Sequence, residues 1–304
     1  MSLTESLDPR FNRLILGNAQ IEVLAENCRW LEGPVWFADH GLLLFSDIPN
    51  NRVMRWCAGQ VSVFQSPSDF ANGHARDREG RLLSCLHHGR AVTRRELDGR
   101  VTVLADRLAG KRLNSPNDVT VQPGNGAIWF TDPIYGITTD YEGGKQESER
   151  PPALYRLGPD GRLSVAADDF IGPNGLAFSP DERRLYVTET GDQFDPATER
   201  HIRVFDVEEN GHLRHGRVFA RISPGYADGI ACDEAGNLWC SAGDGVHCLS
   251  PEGETLGKIH TGGTVANLAF GGRHRSRLFL CAGTRLLALH TNTRGAHEPF
   301  ANRP

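Results

Sequence analysis

An all-β fold, a six-bladed β-propeller with four antiparallel strands per blade, is what this sequence predicts. Three observations lead there: a unit that recurs six times, hairpin signals inside the units, and no window with helical periodicity. The unit opens on a polar residue followed by Gly, Asp or Leu and runs into a short apolar strand. It then turns at Asp, Gly or Asn and returns in a second strand ending in small or polar residues. Its copies start at Glu32 (EGPVWFADHGLLLFSD), Asn72 (NGHARDREGRLLSC), Asn117 (NDVTVQPGNGAIWFTD), Asn174 (NGLAFSPDERRLYVTE), Asp228 (DGIACDEAGNLWCSA) and Asn267 (NLAFGGRHRSRLFLCA). Successive starts lie 40, 45, 57, 54 and 39 residues apart, room for four short strands each.

The outer strands of several blades are legible as hairpins. RAVTRRELDGRVTVLA, ALYRLGPDGRLSVAA and HIRVFDVEENGHLRHGRVFA each split two strand-like runs at Asp-Gly or Asn-Gly. The last copy supplies LFLCA and RLLALH, but the tail TNTRGAHEPFANRP lacks the alternation of a further strand. Gln20–Ala25 (QIEVLA) does alternate, so it is expected to join the final blade as its outer strand and close the ring, which limits exposed edges. Residues 1–304 thus read as one domain, with about the first fifteen and the last ten residues peripheral.

Composition narrows the function classes. With 39% hydrophobic and 23% charged residues the chain is an ordinary globular protein, and a net charge of -5 with a pI near 6.2 argues against binding nucleic acid or an anionic membrane. The first ten residues hold neither a basic region nor an apolar run, so a cytoplasmic location is expected. Seven scattered cysteines without paired spacing read as reduced, mostly buried side chains. Nothing in the sequence specifies an oligomeric state.

In a propeller the first strand of every blade lines the central channel, so the six starting residues should form a ring at one mouth. Two carboxylates (Glu32, Asp228) and four amides (Asn72, Asn117, Asn174, Asn267) brought together are costly to desolvate unless a cation binds them. Oxygen donors without His or Cys suit a hard divalent ion, Ca²⁺ ahead of Mg²⁺, Mn²⁺ or Zn²⁺. The competing reading has these residues capping turns or holding channel water, and it is preferred for Asn72 and Asn267. The connections from second to third strand should overhang the ring. Two are long, 133–152 (PIYGITTDYEGGKQESERPP) and 190–200 (TGDQFDPATER), and Asp132 should stand at the same mouth.

The segments LEGPVW, NSPNDV, WFTDPIYG, GPNGLAFSPDE and YADGIACDEAGNLW, in this order over nearly the whole chain, resemble the gluconolactonase and senescence-marker-protein (regucalcin-like) family of metal-dependent lactonases. The resemblance implies a six-bladed propeller with one divalent metal in its channel. It further implies that Glu32, Asn174 and Asp228 are direct ligands, that Asn117 approaches the metal or the substrate, and that Asp228 is also the general base for the attacking water. Arg112, Asn114 and Tyr135 are implied to contact a small lactone substrate. One departure bears on which substrate that is: members tend to carry Cys-Glu-His after the second repeat, where this chain has Cys85-Leu86-His87-His88. Either His87 replaces a contact or it is a partly exposed histidine, the second reading being preferred.

No G-x-S-x-G elbow, H-E-x-x-H, P-loop or dinucleotide fingerprint occurs. Against the lactonase expectation stand an organophosphate-hydrolysing phosphotriesterase using the same site and a non-catalytic metal-binding scaffold.

Overall fold

The computed structural model of the chain describes residues 2–296 and is built almost wholly from six antiparallel sheets. The first comprises Leu31–Phe37, Leu42–Asp47, Arg52–Cys57 and Gln60–Gln65, paired in that order. The next four innermost strands are Ala71–Arg76, Val119–Val121, Pro173–Phe178 and Ile230–Cys232, each followed outward by its own three partners. Every innermost strand touches the innermost strands of the blades on either side, and Asn267–Gly271 of the last blade packs against Leu31–Phe37 of the first, which completes the ring. The chain is a six-bladed β-propeller, as its repeat predicts.

The ring closes as expected. Glu22–Ala25 pairs antiparallel with Arg285–His290, Glu22 opposite Ala288 and Val23 opposite Leu287, and supplies the fourth strand of the last blade. The segment before it is more than peripheral: Thr4–Ser6 adds a fifth strand to the fifth blade, opposite Gly257–Ile259. Phe11 is 1% exposed and packs on Trp239 with ring centroids 6.2 Å apart. The N-terminus therefore clasps two neighbouring blades, and burying an aromatic of that size is worth roughly 2–3 kcal/mol. Of the tail expected to be peripheral, residues 297–304 lie outside the described residues.

Apolar faces of adjacent blades make the core. Leu43, Phe45 and Trp56 meet Phe279 and Leu286 across the closure, and Trp129 of the third blade stands edge-on to Phe178 of the fourth, 5.8 Å between centroids. All seven cysteines are free, and all but Cys57 are buried. Among the described residues no helix is long and apolar enough to cross a membrane.

Candidate active site at one mouth of the channel

The six starting residues of the repeat do converge. Each lies at or just before the beginning of an innermost strand, and the residue after it explains how close the strands come. Gly33, Gly73, Gly175 and Gly229 hold that next position in four blades. A Cβ on Gly33 would stand 2.1 Å from the Asn72 carbonyl oxygen, and one on Gly175 would stand 2.0 Å from that of Asp228. Only glycine permits such an approach. The remaining two blades carry Asp118 and Leu268 instead.

The small polar residues that end the second strands align one blade with the next. The hydroxyls of Ser46, Thr131 and Thr188 donate to the backbone carbonyls of Asn72, Asn174 and Asp228 at 2.8, 2.8 and 3.1 Å. Ser241 Oγ accepts the Asp228 amide at 2.8 Å. Asn72, Asn174 and Asp228 are thus positioned through their backbones.

Those side chains form a relay of amides. Asn72 Nδ2 donates to Asn117 Oδ1 at 2.6 Å, Asn117 Nδ2 to Asn174 Oδ1 at 2.6 Å, and Asn174 Nδ2 to Thr190 Oγ1 at 3.2 Å. Each carbonyl oxygen in the relay keeps a second lone pair. Asn72 Oδ1 is buried with no partner among the described residues. On the other side, Asn267 Nδ2 donates to Glu32 Oε2 at 2.8 Å and to Asp118 Oδ2 at 3.0 Å, bridging two carboxylates.

Electrostatically the ring is unbalanced. Burial pushes the Glu32 carboxyl far above the ordinary carboxylate range, and the charges of Asp228 and Asp118 push it further. Asp228 is driven up by burial, then by Asp118 and Glu142, against one lowering hydrogen bond from Asn174. Asp118, raised to about 7 by burial, is a third carboxylate that the repeat does not single out. Its signal in the sequence is its place in a column that is otherwise mostly glycine. Glu32, Asn72, Asn117, Asn174 and Asp228 open into a cleft of about 480 Å³ whose lining, among the described residues, contains no Lys, Arg or His.

Both long connections wall this cleft. The first contributes Tyr135, Thr138, Tyr141 and Glu142, with a helical turn at Tyr135–Thr138; the second contributes Thr190, Gln193 and Phe194. Tyr135 joins them: its hydroxyl donates to Gly172 O at 3.1 Å and pairs with Thr190 Oγ1 at 2.5 Å, and its ring lies 5.3 Å from that of Phe194. Asp132, raised to about 7 by burial, stands beneath the first connection and accepts the Asn114 amide at 2.9 Å.

Arg112 and Asn114 do not reach the cleft. Arg112 sits in a two-stranded ribbon and donates to Gly89 O at 3.0 Å. Asn114 is fully buried and saturated by the carbonyls of Asp132 and Arg150 and the hydroxyl of Ser148. His87 is 0% exposed, which corrects the expectation of a partly exposed ring. Its Nδ1 donates to Glu142 O at 2.9 Å, so Nε2 is the acceptor for Asn72 Nδ2 at 3.1 Å. Burial lowers its pKa to about 4 and keeps it neutral.

The donor set fits a hard divalent cation. Among the described residues no three His, Cys, Asp or Glu side chains cluster as a metal site. The donors are instead two carboxylates together with neutral amides, the oxygen-only mixture that calcium accepts. Such a cation would relieve the mutual repulsion of Glu32, Asp118 and Asp228.

Comparison with known proteins agrees with the fold. Residues 30–284 match the model of the "SMP-30/Gluconolactonase/LRE-like region". The gluconolactonase of Zymomonas mobilis is 35% identical over 94% of this chain and 85% of its own length. A solved gluconolactonase from Xanthomonas campestris superposes with a TM-score of 0.89 at 38% identity, covering 95% of each chain. A structure of regucalcin from Agrobacterium tumefaciens, titled a calcium-binding protein, shares the fold with a TM-score of 0.74 at 20% identity over 92% of this chain and 97% of that one. Propeller, acidic cleft and relatives define an enzyme of the carboxylic-ester hydrolase class, a lactonase. The chain belongs to the SMP-30/gluconolactonase/LRE-like family.

Proposed function

We propose that this enzyme opens a small sugar lactone of the gluconolactone type, with one divalent cation, Ca²⁺ first, held by Glu32, Asn117, Asn174 and Asp228, and with Asp228 as general base. The observation that carries the proposal is the burial of Glu32 and Asp228 at one mouth, each raised by desolvation and then by neighbouring carboxylates, in a cleft that no cationic side chain lines among the described residues. The gluconolactonase relatives favour a lactone over an organophosphate ester or a non-catalytic scaffold.

When bound, the cation supplies Lewis acidity at the lactone carbonyl and offsets the ring's negative charge. Asp228 takes a proton from the attacking water as its oxygen bonds to the carbonyl carbon. The ring C–O bond then breaks, and the proton passes from Asp228 to the departing alkoxide, giving a hydroxy acid. Asn117 and Asn174 contribute neutral oxygen donors that leave the positive charge undiminished. Tyr135 and Phe194 wall the cleft and exclude bulk water from the reacting centre.

Asp228→Asn and Glu32→Gln are expected to abolish chelator-sensitive hydrolysis of glucono-δ-lactone in a pH-stat assay. The loss is expected to reach about 10²–10⁴-fold in kcat for the Asp228 variant, the usual worth of a positioned base. Retained activity in either variant would overturn the assignment. Rates over a panel of sugar lactones and of Ca²⁺, Mg²⁺, Mn²⁺ and Zn²⁺ identify the substrate and the ion.

A further inference from the structure

We propose that Glu142 is a specificity-determining residue of this cleft: its carboxylate accepts hydrogen bonds from the hydroxyls of a neutral, polyhydroxylated lactone and disfavours lactones that carry an anionic group. The proposal rests on the lactonase reading above and extends it to a residue that neither the repeat nor the family resemblance singles out.

Glu142 belongs to the 133–152 connection, yet it is held firmly. Its carbonyl oxygen accepts from His87 Nδ1 at 2.9 Å, and His87 is anchored through Asn72 to the ring amides. On either side the connection is stapled to itself, Gly144 N donating to Gly136 O at 3.1 Å and Gln146 N to Ile137 O at 2.9 Å. Contact is close throughout: a Cβ on Gly136 would meet the His87 ring at 2.3 Å, and one on Gly143 would meet Gly136 O at 2.1 Å. The backbone of residue 142 therefore has a fixed position over the ring.

The side chain it presents is unsatisfied. Glu142 lines the cleft with Glu32 and Asp228, and its carboxylate has no hydrogen-bond or ion-pair partner among the described residues. Burial raises its pKa, and its charge adds to that on Asp228. A half-buried carboxylate without donors is costly, and hydroxyl groups arriving with the substrate are the donors that would offset this. A lactone ring without hydroxyls leaves the carboxylate unpaired, and a phosphorylated one places a second anion beside it. A site built to bond a substrate hydroxyl discriminates strongly against an analogue that lacks it. The Glu of the family's Cys-Glu-His pattern is Leu86 in this chain, which packs against the apolar core instead of lining the cleft, whereas Glu142 does line it.

The test measures kcat and KM of the full-length enzyme, wild type, Glu142→Gln and Glu142→Ala, on glucono-δ-lactone, δ-valerolactone and 6-phosphoglucono-δ-lactone, with Ca²⁺ titrated calorimetrically into each protein. In both variants kcat/KM for glucono-δ-lactone should fall about tenfold or more, carried mainly by KM, the worth of one charge-assisted hydrogen bond. Turnover of δ-valerolactone should stay within about twofold, the phosphorylated lactone should gain about tenfold relative to the neutral one, and Ca²⁺ affinity should hold within about threefold. An equal fall on glucono-δ-lactone and δ-valerolactone, or no fall on either, would overturn the role of Glu142 alone. A Ca²⁺ affinity weakened more than about tenfold would make Glu142 a metal ligand and overturn it as well. Wild-type enzyme inactive on all three lactones would remove the lactonase reading and this proposal together.

Discussion

The two ends of the channel are built from the same six strands but present different side chains. At the strand beginnings, Glu32, Asn117, Asn174 and Asp228 open into a polar cleft roofed by two long connections. A few residues further along, Val35, Trp36, Leu176, Phe178, Ile230 and Phe270 enclose a cavity of about 220 Å³. The polar groups that do face that second cavity are largely satisfied. His74 is hydrogen-bonded to Ser46 and Ser84 and kept neutral by burial, its pKa lowered to about 4, and Arg76 pairs with Asp39. Glu32, Asp228 and the amide relay thus stand at one end and the core side chains Leu176 and Phe178 at the other, so substitutions at the two ends should fail in different ways.

The largest separation is expected between Asp228→Asn and Phe178→Ala. The first removes the base and should cost about 10²–10⁴-fold in kcat without destabilising the chelated protein, in which its charge only repels its neighbours. The second removes a ring that is 2% exposed and packed edge-on against Trp129, and should cost about 3–5 kcal/mol of stability in denaturant unfolding. Its Ca²⁺ affinity and KM should be unaltered below the unfolding transition. If Phe178→Ala instead weakened Ca²⁺ binding as strongly as it weakened the fold, the two ends would be coupled and the division between them wrong.

Asp118 tests the boundary itself, since it lines the second cavity while its charge acts on the first. Asp118→Asn should weaken Ca²⁺ binding by calorimetry, though less than loss of a ligand would, because one of the nearby negative charges is gone. The same substitution should raise the melting temperature of the chelated protein, where that charge only repels its neighbours. A variant that lost stability with and without Ca²⁺ would show Asp118 to be a packing residue.

How much of this is legible in the sequence depends on whether the cause is local. The ring is legible because a propeller writes the same local unit six times, so Glu32, Asn72, Asn117, Asn174, Asp228 and Asn267 occupy one column of the repeat. Closure by Glu22–Ala25 is legible as alternation in a segment outside the repeats. Asp118 could have been found in the next column, where it breaks a run of glycines. By contrast, Thr4–Ser6 is too short to show a period, and only its neighbour on the fifth blade makes it a strand. The burial of His87 and the placement of Glu142 arise from a connection folding back over the ring, a packing event without periodicity. Arg112 and Asn114 show the opposite effect: they adjoin Asn117 in sequence, but the chain runs into the ring only after Ser115–Pro116, and the two residues remain outside the cleft.

Asp132 separates burial as such from the repulsion peculiar to the ring. Its carboxyl is raised to about 7 by burial, is partly relieved by the Asn114 amide and by Arg150, and has one oxygen without a partner. The folded protein therefore holds a proton on Asp132 over a range in which the unfolded chain, with an ordinary value of 3.8, has lost it. Stability from this source is fully present below about pH 4 and declines as pH rises towards 7, each unit of raised pKa being worth about 1.4 kcal/mol. Asp132→Asn cannot titrate, so its melting temperature should fall less than that of wild type between pH 5 and pH 8 and should exceed it at pH 8. Because Asp132 lies outside the ring, the difference should persist with saturating Ca²⁺, whereas the effect of Asp118→Asn on the chelated protein should not. Melting curves of both variants, with and without Ca²⁺, would join Asp132 to the cation site if its pH dependence vanished on adding the ion.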